Sequence, residues 1–531
     1  MLAPVALIHP PPIRLEPLAL PLYTLRTVTR MLAALALSLL FTFVYATAAA
    51  KSRRAEMILI PLLDALQSVP VLGYLSFTVV FFVSLAPGSA LGPELAAIFA
   101  IFTAQAWNMA FSFYQSLRTV PMDLDEASRS LRATGWQRFW RLEVPFAMPG
   151  LLWNSMMSMS GSWFFVVASE AIAVGDTQIA LPGIGSYVAK AIEAKDAGAI
   201  GWAILAMSVA IIVYDQLLFR PLVAWGEKFR VEQSAAQTAS QSWVLDLLAR
   251  SRLVNFVWRP LEHRFERLAR ARLSFHTRRT RGVPPSRTLD AIWYAGIAAA
   301  IIWLGWRLRA FLAPVFPDLG RVARDGLFTL TRVIVLTLLA SLIWVPAGVW
   351  IGLRPRITKY AQPLAQFLAA FPANLLFPVA VFLVIRYRLA PAIWLSPLMI
   401  LGTQWYILFN VIAGASAFPS DLREAAASLR LGAWRRWSRV LLPGIFPYFV
   451  TGAITASGGA WNASIVSEAV SWGKTRLLAP GLGAYIAEQT AAGDFARIAL
   501  GVAVMSALVV TMNRLLWRPL YLLAERRTRL D

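Results

Sequence analysis

Apolar stretches of about the length needed to cross a bilayer, roughly 20 residues, recur along the chain with short polar breaks between them. They fall near 31–50, 69–86, 94–117, 149–174 and 199–218, then again at 291–312, 327–352, 364–385, 391–414, 447–472 and 495–518. The pattern predicts an all-α polytopic membrane protein of about eleven spans, five before a long polar break and six after it. The break, roughly 220–289, holds Arg250, Arg252, Arg259, Arg264, Arg267, Arg270, Arg272, Arg278, Arg279, Arg281 and Arg287 with few acids. Short cytoplasmic loops are the Lys/Arg-rich ones. Lys51, Arg53 and Arg54, the stretch 118–143, the break, Arg354 to Lys359, the stretch 422–440 and the tail ending Arg526, Arg527, Arg529 all fall on one side. That side is read as the cytoplasm, so an odd span count puts the N-terminus outside and the C-terminus inside.

Self-similarity then organises the chain. Glu126 to Glu170 aligns with Glu424 to Glu468 at an offset of 298 without a gap, and 14 of 45 positions are identical. Leu131/Leu429, Trp136/Trp434, Pro145/Pro443, Trp163/Trp461 and the terminal Glu pair are among them, and the register runs on through Pro182/Pro480, Gly183/Gly481, Gly185/Gly483, Tyr187/Tyr485 and Arg220-Pro221/Arg518-Pro519. Upstream, Arg30/Arg332 and Pro70/Pro372 pair at an offset of 302. The chain reads as a tandem duplication. Equivalent positions are separated by an even number of spans, so the units are parallel, related by a pseudo-twofold along the membrane normal; the span at 291–312 makes this orientation work. The expected organisation is an N-terminal segment 1–22, a first unit 23–220, a basic cytoplasmic linker 221–289, a second unit with one extra leading span 290–520, and a tail 521–531.

Composition sharpens this reading mainly by exclusion. The 531 residues are 58% apolar and 15% charged, with no Cys and three His (His9, His263, His276). Thiol nucleophiles and Cys-containing metal sites drop out, and the three His form no metal constellation. The net charge of +22 is absorbed by cytoplasmic loops rather than pointing to nucleic acid. The proline-interrupted start MLAPVALIHPPPIR lacks a basic leader and is not read as a signal peptide.

Each unit carries one conspicuous polar segment between its third and fourth spans, PMDLDEASRSLR from Pro121 and PSDLREAAASLR from Pro419. Both open with proline and early acids and end in Arg, a helix signature. A short helix projecting from the membrane suits a groove in a partner and can carry rigid-body motion into the spans. Glu126-Ala127-Ser128 leads to Pro145, and Glu424-Ala425-Ala426 to Leu442-Pro443, each at a spacing of nineteen. These segments resemble the cytoplasmic loops of bacterial ABC importer permeases. The downstream SWFFVVASEAI/AWNASIVSEAV and LPGIGSYV/APGLGAYI are most similar to those of the nitrate/sulfonate/taurine/bicarbonate group. In that family a Gly follows six residues after the Glu; here Arg132 and Arg430 stand there, with Gly135 and Gly432 slightly later.

The resemblance implies two tandem units of the MetI-like importer fold in an inner membrane, with the ten residues Glu126, Ala127, Ser128, Arg132, Gly135, Glu424, Ala425, Ala426, Arg430 and Gly432 forming the ATPase-coupling loops. It implies ATP and Mg on two copies of a separate nucleotide-binding subunit, a periplasmic or lipid-anchored solute-binding protein, and no cofactor on this chain. The only Gly-Lys-Thr, Gly473-Lys474-Thr475, has Glu468 rather than Gly five residues before it and falls outside the cell, so it is no phosphate-binding loop.

Polar residues within spans are costly facing lipid. Asn154, Ser158, Trp163 and Glu170 in the first unit, and Thr455, Trp461, Asn462 and Glu468 in the second, are the candidate pathway residues; their spacing serves helix packing equally well. The paired Glu residues read as gate or packing elements, held by backbone N–H or Arg. Arg386 and Arg388, without counterparts in the first unit, are an outer anion or binding-protein contact, or interfacial anchors. A competing class is an ion-coupled secondary transporter with parallel repeats; a lipid-directed membrane enzyme lacks any nucleophile–base set.

Overall fold

The computed structural model describes residues 12–174, 177–229, 243–250, 260, 264, 266–271, 287–473 and 475–528. The first eleven residues, the three His, Lys474 and much of the basic linker lie outside these. Nearly everything described is helical, with two four-residue strand pairs. Six stretches are long and apolar enough to span alone: Pro17–Lys51, Leu91–Arg118, Ala197–Gly226, Ala313–Gly352, Ala433–Ser467 and Phe495–Ala524. Three sharply bent pairs bring the number to nine: Arg53–Ser68 with Val71–Leu85 (100°), Pro355–Ala370 with Ala373–Arg386 (77°), and Pro391–Leu401 with Gln404–Ser416 (41°).

Length and hydropathy thus give six to nine spans among the described residues, against the eleven expected. The two remaining expected segments are helices, Val144–Glu170 and Arg287–Leu312. Val144–Glu170 holds five Ser and Asn154, which lower its hydropathy; its repeat counterpart, Leu442–Ser467, lies inside one of the six.

The two steepest bends have one cause. A residue before proline is pushed out of the α region, and proline lacks the N–H that would continue the ladder. Val69 before Pro70 and Phe371 before Pro372 are both extended, at ψ 122° and 126°, so each second span breaks at the same place. Proline acts differently at four other points. Phe139–Glu143, Asp215–Phe219, Trp437–Leu441 and Asn513–Trp517 are π-helical turns, and each is followed after one residue by Pro145, Pro221, Pro443 or Pro519. Widening the ladder by one residue accommodates the missing donor without ending the helix.

The expectation that the fourth spans run to 174 and 472 is corrected. They stop at Glu170 and Ser467, and Ala171–Val174 pairs with Thr177–Ala180, as Ala469–Trp472 pairs with Thr475–Leu478. Apolar, β-branched residues there look like continued span in a hydropathy trace.

The units complete each other's cores. The cluster built around the second unit includes Val71, Leu72, Leu75 and Val79, and that built around the first takes in Ala370 and Leu375. Polar contacts repeat the exchange. Val71 N donates to Asn462 Oδ1 at 2.7 Å, and Asn374 Nδ2 to the Phe164 carbonyl at 3.2 Å. Gln366 Nε2 donates to Asp215 Oδ1 at 3.1 Å. By the repeat offsets the mirror-related positions are Asp64 and Asn513, and there Asp64 feels the charge of Arg518 instead.

Candidate functional site

Three places carry chemistry. The first is the pair of cytoplasmic loops. Met122–Ser130 and Ser420–Ser428 are short helices as expected. Each ends in a 6→1 reverse turn, Ala133 N to Ser128 O at 3.1 Å and Leu431 N to Ala426 O at 3.2 Å, a helix stop that wants a left-handed residue at the penultimate position. That position is Arg132 (φ 52°) and Arg430 (φ 47°). The family's Gly is replaced while the turn it would make is kept, with each exposed Arg held in a conformation costing about 1–2 kcal/mol.

Glu126, Ala127, Glu424 and Ala425 are exposed, Ser128 is half-buried and Ala426 is buried. Gly135 opens the next short helix behind a Thr134–Gln137 capping box, and Gly432 caps its counterpart. From there the chain runs through the π turn directly into the fourth span. The loops are therefore mechanically continuous with the membrane helices.

The loops are fastened differently. In the first unit Lys51 pairs with Glu143 at 2.8 Å and Arg138 with Asp125 at 3.3 Å. At the positions matching Lys51 and Glu143 the second unit has Leu353 and Leu441, the latter buried in a core cluster with Leu353 packed against it; an ion pair exchanged for apolar packing is close to neutral in stability. The basic linker is also hydrogen-bonded to the first loop. Trp136 Nε1 donates to the Leu268 carbonyl at 2.7 Å and Gln137 Nε2 to the Arg270 carbonyl at 2.8 Å. The matching Trp434 is 76% exposed.

The second place is the outer end of each fourth span, where the sequence pointed to glutamates held by backbone N–H or Arg without naming the partner residues. Glu170 is fully buried. It accepts from Thr27 Oγ1, Arg30 Nη1 and Gly185 N, each at 2.7 Å. Glu468 accepts from Thr329 (2.9 Å), Arg332 (2.9 Å), Gly483 N (2.8 Å) and Ala484 N (3.2 Å). The Thr oxygens in turn accept from Ile184 N and Leu482 N. A Cβ on Gly183 or Gly481 would lie 2.3 Å from the carboxylate, so the Pro-Gly-x-Gly stretch wraps each glutamate closely because it has no side chain there. Each Glu thus clamps the hairpin to the first span of its own unit. The signal for this was present in the sequence: one Arg per unit, at matching positions, at the outer edge of an apolar run.

The third place is one face of the helix Leu442–Ser467. Thr451, Thr455, Gly458 and Asn462 follow at helical spacing; both Thr are exposed, and nothing lies within 4 Å of where a Cβ on Gly458 would be. Asn462 also tethers the other unit through Val71. The remaining candidates are placed for packing. Asn154 donates to Ser112 Oγ at 2.9 Å, while Ser158, Trp163 and Trp461 are buried. Arg386 ends the helix Phe377–Arg386, and Arg388 is its left-handed cap at φ 51°; both are exposed.

Comparison with known proteins adds identity to this geometry. Residues 38–219 and 344–529, most of the chain, match the family described as the binding-protein-dependent transport system inner membrane component. The bicarbonate transport system permease protein CmpB of Synechocystis sp. is 28% identical over 218 residues, 40% of this chain and 74% of that one. The nitrate import permease protein NrtB of Leptolyngbya laminosa is 25% identical over 201 residues, 37% and 68% of the two chains. The glycine betaine/proline betaine transport system permease protein ProW of Escherichia coli is 30% identical over 168 residues, 32% and 43%. No solved structure matches the chain.

Proposed function

Because the chain belongs to the family of binding-protein-dependent transport system inner membrane components, twice over, we propose that it supplies the whole membrane half of an ABC-type importer for a small anion. Its permease character follows from the family; the finer assignments are the proposal. The reading is carried by one observation. In both units the loop helix stops in a reverse turn, and the short helix directly behind it runs through a π turn, without a break, into the fourth span.

In this reading two ATPase subunits seat the loops around Glu126 and Glu424. Closure of the ATPases moves the fourth spans as rigid bodies, and a binding protein loads solute from outside. The N-terminus is external and the tail cytoplasmic. The open polar face at Thr451, Thr455, Gly458 and Asn462 lines the route. The clasps at Glu170 and Glu468 hold the outer ends of the units in shape while the inner ends move. The anionic assignment rests on the bicarbonate and nitrate relatives, which are covered over 74% and 68% of their length against 43% for the betaine one.

The test is ATPase activity of the chain assembled with its nucleotide-binding subunits in lipid. Activity is expected to fall strongly in Glu126→Ala/Glu424→Ala while the subunits remain folded. Loading with nitrate, bicarbonate or glycine betaine binding proteins then decides the solute; stimulation by the betaine protein alone would refute the anionic assignment.

A further inference from the structure

The two outer clasps use the same arginine differently. In the first unit Arg30 is fully committed. Nη1 donates to Glu170 (2.7 Å) and to the Pro182 carbonyl (3.0 Å), while Nε and Nη2 form a parallel fork on both oxygens of Glu94, 2.6 Å each. In the second unit Nη1 of Arg332 makes the equivalent pair of bonds, to Glu468 (2.9 Å) and the Pro480 carbonyl (2.7 Å). No acid stands on its Nε–Nη2 edge among the described residues.

The cause lies in the third span. In the first unit it begins as a helix at Leu91, with Glu94 in its first turn and packed along Leu20–Lys51. In the second unit the corresponding stretch is broken, Pro391–Trp394 packs on the strand Thr475–Leu478, and 387–403 contains neither Asp nor Glu. Arg332 is accordingly the more accessible, 15% against 4% for Arg30.

We propose that the Nε–Nη2 edge of Arg332 binds an external oxyanion, seated as the Glu94 carboxylate is seated on Arg30. The first unit shows that this surround accepts two anionic groups on one guanidinium. The fork recognises two coplanar oxygens at once, a requirement met by bicarbonate, nitrate and carboxylates, and by two oxygens of a lipid phosphate. Counted from Gly352 at the inner end of its helix, Arg332 lies about 30 Å up the axis, near the outer edge of the hydrocarbon, where both kinds of oxyanion occur. The site is independent of whether the chain is an anion importer.

The experiment follows the thermal unfolding midpoint of the full chain in phosphatidylcholine nanodiscs, titrated with sodium nitrate, bicarbonate or formate at constant ionic strength against chloride. Wild type is expected to show a saturable rise. Arg332→Lys, which keeps a cation beside Glu468 but removes the fork, should weaken the apparent affinity at least tenfold. Glu94→Ala frees the same edge on Arg30 and should gain a second saturable response to formate, which holds as a test even if the Arg332 variant fails to fold. Phosphatidylcholine pairs its phosphate with its own quaternary ammonium, whereas phosphatidylglycerol carries a net negative phosphate; with the latter in the disc, a raised midpoint that no longer responds to free anion assigns the site to a headgroup, and an undiminished response assigns it to the free ion. An Arg332→Lys response equal to wild type in both lipids, or no gained response in Glu94→Ala, overturns the proposal.

Discussion

Replacing Glu170 and Glu468 separately by Gln should expose how unequal the two clasps are. Glutamine keeps the shape but removes the charge, and it turns an NH2 toward a position that accepts hydrogen bonds. In the first unit Oε2 receives one backbone donor, Gly185 N, and Arg30 retains its fork on Glu94. In the second Oε2 receives two, Gly483 N and Ala484 N, and Arg332 is left without a carboxylate. A hydrogen bond to a charged group contributes about 1.5–3 kcal/mol, so Glu170→Gln should cost about 2–3 kcal/mol. Glu468→Gln breaks a buried pair and moves toward the 3–5 kcal/mol that such a loss typically costs, softened by the partial access of water to Arg332.

The expected gap is about 1–2 kcal/mol, five- to thirtyfold in the folded-to-unfolded ratio. It would be read as the order of unfolding midpoints in nanodiscs. The double variant Glu94→Gln/Glu170→Gln recreates the second unit's situation and should fall to the level of Glu468→Gln. An equal or larger loss for Glu170→Gln, or no added loss from Glu94→Gln, would refute the reasoning.

Other expectations rest on single positions. Gly183→Ala and Gly481→Ala place a Cβ 2.3 Å from a buried carboxylate and should lower the midpoint sharply, while Gly458→Ala, with open space around it, should be neutral or stabilising by about 0.5–1 kcal/mol; similar effects at all three would contradict the wrapped geometry. Arg132→Gly and Arg430→Gly relieve left-handed strain of about 1–2 kcal/mol and return about 0.5–1 as chain entropy, so each should leave the midpoint unchanged or raise it, and a fall would mean that the Arg side chains hold the turn. Hydroxyl-radical footprinting of the isolated chain should label Trp434 well before Trp136, whose indole is hydrogen-bonded to the linker; equal rates would place the linker elsewhere.

How far the sequence reaches depends on the distance over which each feature is encoded. The duplication and the loop helices were legible because they rest on local pattern: Pro121 and Pro419 starts, fixed spacing to Pro145 and Pro443. The departure at Arg132 and Arg430 was visible too, but not its outcome, since the backbone can keep a left-handed turn under strain. The bends at Pro70 and Pro372 were missed because the arm before each, Arg53–Ser68 and Pro355–Ala370, is far more polar than the arm after it and adds little to an apolar run. The hairpins were missed for the opposite reason, Ala171–Val174 being as apolar as the span before it. The clasps join Arg30 to Glu170 and Arg332 to Glu468 across most of a unit, and periodicity carries no signal over such separations. The third-span helix that supplies Glu94 has no matching acid in the second unit, and only the fold shows what that omission leaves open.

The contact between Gln366 and Asp215, with Asp64 and Arg518 at the mirror-related place, bears on how such a protein can change. In a homodimer each interface residue appears twice, so one substitution alters two contacts and must suit both. Joining the units in one chain lifts that requirement. Here the carboxylate sits on the last span on one side and on the broken second span on the other, an arrangement no pair of identical subunits can have. A mutation at Asp215 therefore wounds a single seam, and its suppressors should arise at Gln366 and not at Asp64. Inheritance of the two seams is separate even though they act together.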